Sequence, residues 1–499
     1  MKEGFSLEIN AEDHYNCICE HTFMQIFGRF IVRKKFETQT FLFETPIPEL
    51  EFPDASRNTL YPALKALKWL YQDREEICRL ISLDLAQGKS SRLGANGMSG
   101  WQVLVIAVIR FCHKKSFDDV EFYCNEVPLV RTLLELAPLD TSRFSSKTLQ
   151  QNFALLDPKT VDKINELVCK KALDEGIENG KEVRSDSFVC KRPIHYPTDQ
   201  SVLWDATRVL LRECFRVFDG GSGFRQSRHL MKKGKSLLRD VGQSKRGGGK
   251  GKDKRVKKAY RELVNFCEEI LFKFYAAADI LRESIAPKHL EDFDRLVWHA
   301  VQVDQALDLI KRRVFCEETI ENSDKLLSVF EWETELINRG KFPVAHEFGH
   351  RVMFSEGKSG LIIDYSTREA MGDLNEMEFI FKRLVARYGK LDLLTADKGF
   401  WRKGVREEFK EKCGYVAIAK KGKLTSEEKE FQSTEKFQSC RRWRSGVESL
   451  ISCTVRTNGL GRCADKSMKG FLRWVGLGVL ARNLITLGRI LKEDSTKAA

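Results

Sequence analysis

The stretch KEVRSDSFVCKRPIHYPTD, residues 181–199, contains side chains that alternate with a period of two. In an extended chain Val183 and Val189 would face one way, whereas Arg184 and Asp186 would face the other, which is typical of a β-strand. Aspartate is disfavoured in strands and is costly to bury without a partner. The stretch therefore predicts a strand with a carboxylate near its middle, and that carboxylate needs a cation or a metal ion nearby.

Two later segments carry acidic residues that could meet this one. The segment KLDLLTADKGF, residues 390–400, predicts a buried strand that ends at Asp397, and CGYVAIAKKGK predicts the strand after it. The segment RRWRSGVESLISCTVRTNGLGR, residues 441–462, predicts a helix that carries Glu448. Carboxylates in these positions can converge at one edge of a mixed sheet, although spacing alone is weak evidence because the chain has 71 acidic residues.

Convergent carboxylates repel one another unless cations lie between them. Magnesium and manganese ions are hard cations that prefer oxygen ligands. Two such ions, about 3.5–4 Å apart, can stabilise both the attacking and the leaving oxygen of a phosphodiester. A site built from Asp186, Asp397 and Glu448 would therefore suit two Mg²⁺ or Mn²⁺ ions.

Composition narrows the class of protein. A chain of 499 residues is long enough for two to four domains, and its net charge of +13 favours a polyanionic partner, nucleic acid first. Its 14 cysteines are scattered, which is typical of a reduced intracellular protein and not of a disulfide scaffold. The N-terminus has no apolar signal core, and the apolar stretch 471–491 is broken by arginines, which favours a packing helix over a membrane span. We expect a cytoplasmic protein with no membrane segment.

The pattern along the chain predicts three parts. Residues 1–80 have no clear fold, and residues 81–178 are helical and form a predicted DNA-binding domain, because several short helices suit a helix-turn-helix-like reader. A plain helical bundle is the alternative for this part. Residues 179–490 form the predicted catalytic domain, with a largely helical, basic insertion at about 201–330.

The insertion contains the most basic segment of the chain. Residues 225–261 include fifteen lysines and arginines but only two aspartates, and their glycine-rich centre GGGKGK predicts a mobile loop. We predict that its cations contact a phosphate backbone, with a solvated loop as the alternative. The residues chosen for this role are Lys250, Lys252, Lys254 and Arg255.

Two other sequence motifs contain the residue types that bind zinc. His346 and His350, in the segment 342–354, have the spacing of the zinc-protease motif H-E-x-x-H, which needs a helix. Pro343 and Gly349 oppose a helix, and the sequence that follows predicts two strands around a turn, so we expect a polar strand entry and no protease. A second cluster is too crowded for the usual pairs of zinc ligands, so ordinary side chains are expected there. Its members are His14, Cys17, Cys19 and His21.

Four blocks of this sequence together resemble the DDE transposases of bacterial insertion sequences. The blocks lie at residues 186–210, 330–352, 395–400 and 442–463, and the resemblance extends over most of residues 90–490. It implies an α/β catalytic domain with a ribonuclease H-like mixed sheet and a helical insertion, preceded by a mainly α-helical region. It also implies that the metal-binding catalytic residues are Asp186, Asp397 and Glu448.

Many relatives carry a Tyr-x2-Arg-x3-Glu-x6-Lys signature around the helix glutamate. Arg444 and Glu448 match its central pair, whereas Arg441 and Val455 stand at its Tyr and Lys positions. The flanks therefore depart from the family pattern, although Arg441 and the adjacent Arg456 can still contact phosphates. Lys398 and Arg444 are expected to neutralise phosphate charge.

The resemblance implies a DNA transposase of an insertion sequence. Such an enzyme binds the terminal repeats of its element, cuts the DNA with water, and joins the freed 3′-hydroxyl to target DNA, with Mg²⁺ or Mn²⁺ as cofactor. It implies a homodimer on DNA and a nucleoid-associated protein of the bacterial cytoplasm. Two alternatives stay open: a nuclease of the same fold that does not join DNA, and a non-catalytic DNA-binding descendant.

Overall fold

The computed structural model describes eleven segments of the chain. The cluster predicted around His14 and Cys17 lies outside the described residues, as does most of the region before residue 47. The described segments are residues 33–34, 47–52, 58, 60–87, 95–217, 224, 226–282, 290–338, 346–367, 373–402 and 404–497.

A six-stranded sheet forms the centre of the described structure. Two further strands of two residues each, Arg33–Lys34 (β1) and Ala95–Asn96 (β2), pair with one another in parallel. The six strands of the sheet are Glu182–Lys191 (β3), Glu335–Asn338 (β4), His346–Glu356 (β5), Ile362–Ser366 (β6), Leu391–Ala396 (β7) and Cys413–Ile418 (β8).

The sheet is mixed and open. Its order is β4-β5-β3-β7-β8, and β6 pairs with the second half of the long strand β5. Strand β3 runs antiparallel to β5 but parallel to β7, and β7 runs parallel to β8. The predicted strands around Asp186 and before Asp397 are therefore confirmed, and they are neighbours. The chain is a mixed α/β protein, as the sequence predicts.

Helices flank the sheet and fill the region between β3 and β4. Serine, threonine and aspartate caps fix several of their first turns; the side chain of Ser99, for example, accepts a hydrogen bond from the backbone of Gln102. The α-helices are Leu60–Leu70, Arg74–Ala86, Gly100–Cys112, Phe117–Glu126, Pro128–Leu133, Ser146–Leu155, Pro158–Asp174, Asp199–Val217, Ser227–Ser244, Lys252–Arg282, Leu290–Ile310, Asp373–Tyr388, Val405–Lys410, Ser426–Ser433, Glu435–Arg444, Gly446–Thr457 and Ser467–Lys497.

Two large hydrophobic cores divide the described residues differently from the predicted domains. One core joins the helices before residue 174 to the sheet, with Leu64 and Val103 in the same cluster as Val183 and Phe354. The predicted division at residues 178/179 therefore does not coincide with a break in the core. The second core lies within the predicted insertion, where Trp204 and its neighbours pack among four helices.

The C-terminal helix Ser467–Lys497 is a packing helix. Its segment Ser467–Leu491 is the one stretch of the described residues that is long and apolar enough to cross a membrane, but most of that stretch is buried inside the protein. Asn483 donates a hydrogen bond to the carbonyl of Ile362 and accepts one from its N–H, which joins the helix to β6. The helix thus belongs to the core, as its arginine-broken sequence predicts.

Gly488 allows this helix to approach the helix Leu60–Leu70 closely. A Cβ added at Gly488 would lie 1.8 Å from the carbonyl oxygen of Pro62. We therefore expect Gly488→Ala to lower the free energy of unfolding by about 1–3 kcal/mol, the usual cost of overpacking. Urea unfolding would measure it against Gly242→Ala, a helical glycine with no heavy atom within 4 Å of the added Cβ. Equal stabilities for the two variants would contradict the close approach.

Candidate active site

Parallel pairing of β3 with β7 brings two of the predicted carboxylates together. Ser185 of β3 and Ala396 of β7 are partners in the register. Asp186 directly follows Ser185, and Asp397 directly follows Ala396. The two carboxylates therefore lie side by side on neighbouring strands. Because β7 ends at Ala396, Asp397 stands at the edge of the sheet, as the sequence predicts.

The third carboxylate lies on a helix that begins beside this edge. The sequence predicts one helix over residues 441–462, but the structure has two, which end and begin on either side of Ser445. Arg444 lies in the last turn of the first helix and Glu448 in the first turn of the second. Each charge therefore complements the partial charge of its helix terminus. The break corrects the prediction of a continuous helix.

The guanidinium of Arg444 lies among all three carboxylates. Its Nη1 is 3.2 Å from Oδ2 of Asp186 and 3.8 Å from Oδ1 of Asp397. Its Nη2 donates a hydrogen bond of 2.8 Å to Oε1 of Glu448. The predicted phosphate-binding arginine is thus, in this structure, the cation that compensates the carboxylates.

Asp186 is the least exposed of the three acids. Its side chain is 18% exposed, against 47% for Asp397 and 61% for Glu448. Burial raises the pKa of Asp186 above its usual value; the backbone N–H of Ser187 and the charge of Arg444 act in the opposite direction, and the two other acids raise it further. The pKa of Asp186 is therefore raised chiefly because its carboxyl is withdrawn from water, and the two neighbouring acids add to the effect.

A cavity of about 220 Å³ opens beside Asp397 and Arg444. Its buried floor includes Ala417 of β8 and the ring of Phe437, and its exposed side carries cationic side chains next to the carboxylate of Asp397. Lys398 and Arg441, both predicted from sequence as phosphate ligands, are exposed and line it. The complete lining is Thr395, Ala396, Asp397, Lys398, Ala417, Ala419, Phe437, Arg441 and Arg444.

The remaining predicted phosphate ligands lie elsewhere. Arg456 is exposed in the last turn of its helix, about 12 Å along the axis from Glu448. Lys250 lies in the exposed turn at residues 245–251, and the three others begin the helix Lys252–Arg282. The predicted mobile loop is thus a short turn between two basic helices.

That turn is attached to the helix Asp199–Val217. Lys245 donates hydrogen bonds to Oε1 of Gln200, at 2.7 Å, and to the hydroxyl of Tyr260, at 2.8 Å. Gln200 lies in the first turn of the helix that follows β3. The basic turn is therefore anchored to the first helix after the strand that carries Asp186.

The H-E-x-x-H segment does not form a metal site. His346 and His350 lie on β5, and their Nδ1 atoms are 2.6 Å from Oδ1 of Asn338 and 3.1 Å from Oε1 of Glu335, on the adjacent strand β4. Four residues of extended chain separate the two imidazoles by about 13 Å, which is too far for one zinc ion. The expectation of a strand in place of a protease helix is confirmed.

The donor chemistry of the acidic cluster suits a hard divalent ion. All three side chains offer carboxylate oxygens, which Mg²⁺ and Mn²⁺ prefer, and two of them are substantially exposed. Within the described segments, however, no group of three or more His, Cys, Asp or Glu side chains is already arranged to hold a metal. Arg444 occupies the space between the acids, so an ion would have to replace its compensating charge.

Sequence reasoning missed one contact of the site and the floor of the cavity. Arg184 lies two residues before Asp186 on the same face of β3, and it forms two hydrogen bonds with Glu356 of β5. The alternation of β3 places Arg184 beside Asp186, but its partner lies 172 residues away. Phe437 carried no signal that distinguishes it from a core residue.

Comparisons with known proteins do not extend these observations. No family model matches the chain, and no curated protein or solved structure matches it either. The assignment of a function therefore depends on the residues of the site.

Proposed function

We propose that this protein is the DNA transposase of an insertion sequence, with a ribonuclease H-like catalytic domain. One observation carries the proposal: Asp186, Asp397 and Glu448 converge on a single guanidinium. The resemblance selects these three acids from 71 by their order and their setting on a strand, a strand end and a helix. A wrong selection would be expected to scatter them over the structure.

The order of the sheet supports the fold part of the proposal. The first acid lies on the central strand, and the second follows the parallel strand beside it. The third lies on a helix that contacts β3. Acids on two adjacent parallel strands and on a helix packed against them are what the ribonuclease H-like interpretation requires.

Mg²⁺ or Mn²⁺ would be held by Asp186, Asp397 and Glu448, with two ions expected. When bound, such ions stabilise the charge that develops on the attacking and leaving oxygens of a phosphodiester. The carboxylates supply this affinity only in their ionised form, and the raised pKa of Asp186 therefore makes metal affinity fall as the pH is lowered.

The cationic rim of the cavity supports a phosphodiester as the substrate. Lys398, Arg441 and Arg444 present positive charge beside the acids, and arginine recognises phosphate oxygens through paired hydrogen bonds. These residues would orient the DNA backbone so that its phosphate lies next to the carboxylates. The apolar floor leaves room for a sugar or base at the same place.

The basic helices of the insertion would provide a second DNA contact. Lys250, Lys254 and Arg255 are exposed, and they form no ion pair with another described residue. We expect their joint replacement by alanine to weaken DNA binding. The slope of log affinity against log salt should fall by about 0.9 for each phosphate that the variant no longer neutralises. Fluorescence anisotropy at several salt concentrations would measure both.

A matched control removes three cations that already have acidic partners. Lys273, Arg216 and Arg312 form ion pairs with Glu269, Asp292 and Glu318 respectively. Their joint replacement by alanine changes the net charge equally. If the DNA affinity of both triple variants falls equally, the effect comes from net charge. The basic turn then makes no specific contact with DNA.

The proposed partners and location follow from the reaction. Two element ends must be brought together before they are joined, so we propose a homodimer on DNA that binds terminal repeats and target DNA. A chain with this substrate and twelve free cysteines among its described residues would work in the bacterial cytoplasm, associated with the nucleoid.

The test is a reaction with labelled DNA that carries the ends of the element, a supercoiled target, and Mg²⁺ or Mn²⁺. The proposal predicts cut ends and joined products, and neither in the presence of a chelator. Cut ends without joined products would favour the nuclease of the same fold. Binding with no cut DNA under any condition would favour the non-catalytic descendant.

A further inference from the structure

We infer that Arg184 and Glu356 form a positioning pair. The pair sets the distance between Asp186 on β3 and the helix junction at Ser445, where the helix of Arg444 ends and the helix of Glu448 begins. The inference rests on the proposed function, because positioning has a consequence only where the acids act together. Neither residue contacts the cavity, so the pair acts through the residues that do.

The pair itself is nearly buried and has one geometry. Arg184 and Glu356 are directly opposite on antiparallel strands. Nε and Nη2 of the guanidinium donate hydrogen bonds of 2.7 and 2.6 Å to the two carboxylate oxygens, and the side chains are 15% and 4% exposed. A planar guanidinium held on both oxygens of a buried carboxylate cannot rotate without breaking a hydrogen bond. The position of its remaining nitrogen, Nη1, is therefore fixed.

Nη1 of Arg184 bonds to the helix junction at Ser445. Nη1 of Arg184 donates a hydrogen bond of 2.6 Å to the backbone carbonyl of Trp443, the residue before Arg444. The guanidinium also lies over the Trp443 ring, 5.1 Å from its centre, and Lys358 lies 5.5 Å from the same ring. Arg184 thus donates to a carbonyl in the last turn of a helix, where carbonyls lack the usual partner four residues later.

Gly446 shows how closely the second helix approaches. A Cβ at this position would lie 2.1 Å from Nη1 of Arg184 and 2.7 Å from its Cζ. Any other residue would displace either the guanidinium or the first turn of the helix, which carries Glu448. One side chain on the strand of Asp186 therefore contacts both sides of the break between Arg444 and Glu448.

The geometry gives this contact a definite role. Carboxylates at a catalytic centre have to be held within about half an ångström of their working positions. Asp186 is fixed by its strand, whereas Arg444 and Glu448 belong to helices that Arg184 attaches to β3 by a hydrogen bond outside the acidic cluster. Without that hydrogen bond the acids should become looser relative to one another, while the fold stays intact.

The test is Gly446→Ala, which changes no charge and removes no hydrogen-bonding group. We expect its DNA cleavage to fall at least tenfold, and the Mn²⁺ concentration for half-maximal binding, measured by electron paramagnetic resonance, to rise severalfold. DNA affinity should stay close to that of the wild type, whereas the thermal midpoint should fall, as for Gly488→Ala, with the protein still folded at the assay temperature. Gly242→Ala, a helical glycine in open space, is the matched control.

A second substitution makes the test specific to Arg184. If the two substitutions disturb the same contact, their effects should not add: Arg184→Lys combined with Gly446→Ala should cut DNA about as fast as the slower of the two single variants. If Gly446→Ala cuts DNA and binds Mn²⁺ like the wild type, or if the two losses multiply in the double variant, the positioning role is wrong. If the wild type itself neither cuts DNA nor binds Mn²⁺, the proposed function fails and the inference fails with it.

Discussion

Asp186→Asn should reduce DNA cleavage by about 10³-fold or more and leave DNA binding unchanged. The asparagine keeps the shape of the side chain but removes the charge that a divalent ion requires. A loss of this size corresponds to about 4 kcal/mol of activation free energy, within the several kcal/mol that metal ions contribute to such reactions. Single-turnover cleavage of labelled element ends, with affinity measured separately, gives both quantities.

Stability provides an independent check on the same variant. Because the pKa of Asp186 is raised in the folded protein, stability is lost as the pH rises from the pKa of the unfolded state to that of the folded state, and the full loss persists at higher pH. The metal-free Asp186→Asn protein should therefore have a higher thermal midpoint than the wild type at pH 8, and the difference should shrink toward pH 4. Asp392→Asn, at an exposed position on β7, is the control for which neither change is expected. A variant that unfolds more easily than the wild type at pH 8 would contradict the environment assigned to Asp186.

Arg444→Gln should have the second largest effect on DNA cleavage. It should also lower the stability of the protein, and this loss should be greatest when no metal is bound. Without the guanidinium, three acids lie together with no cation among them, and charged hydrogen bonds of this kind contribute about 1.5–3 kcal/mol. The pKa of Asp186 should rise further, so the loss of stability should be greatest at high pH and smaller in acid. Millimolar Mg²⁺ or Mn²⁺ should restore much of the thermal midpoint.

The same variant should cut DNA about 10²–10³-fold more slowly, the usual cost of removing one group that stabilises transition-state charge. Arg442→Gln is the matched control, because Arg442 lies on the same helix but is 66% exposed, and its one ion pair with a described residue is with the exposed Glu435. Equal effects at the two positions would mean that Arg444 acts through general charge and not through its place among the acids.

Local patterns predict the strands and acids of this site because each depends on few residues. The alternation around Asp186 and the apolar run before Asp397 arise from the faces of single strands, and both strands lie where they are predicted. The strand conformation of the H-E-x-x-H segment follows equally from Pro343, Gly349 and the turn after it. Periodicity gives the face of each side chain, and so it also places Arg184 beside Asp186.

Contacts between distant segments account for what the sequence does not predict. The helix break at Ser445 lies where Gly446 approaches Arg184, a residue more than 250 positions earlier in the chain. Arg444 resembles a phosphate ligand in its motif, yet only the folded chain places it among three acids. The shared core of the N-terminal helices and the sheet likewise depends on packing that hydrophobic pattern does not encode.

The role of the three acids is tested most sharply by one reaction with Mg²⁺ that follows both cutting and joining, for the wild type and for Asp397→Asn. Asp397 suits this test because its side chain is 47% exposed and its distance of 3.8 Å from Nη1 of Arg444 is the longest of the three contacts with that guanidinium. We expect the wild type to cut and join the element ends, whereas Asp397→Asn should bind the same DNA and do neither. Equal cutting by the two proteins would show that the three acids are not the catalytic site.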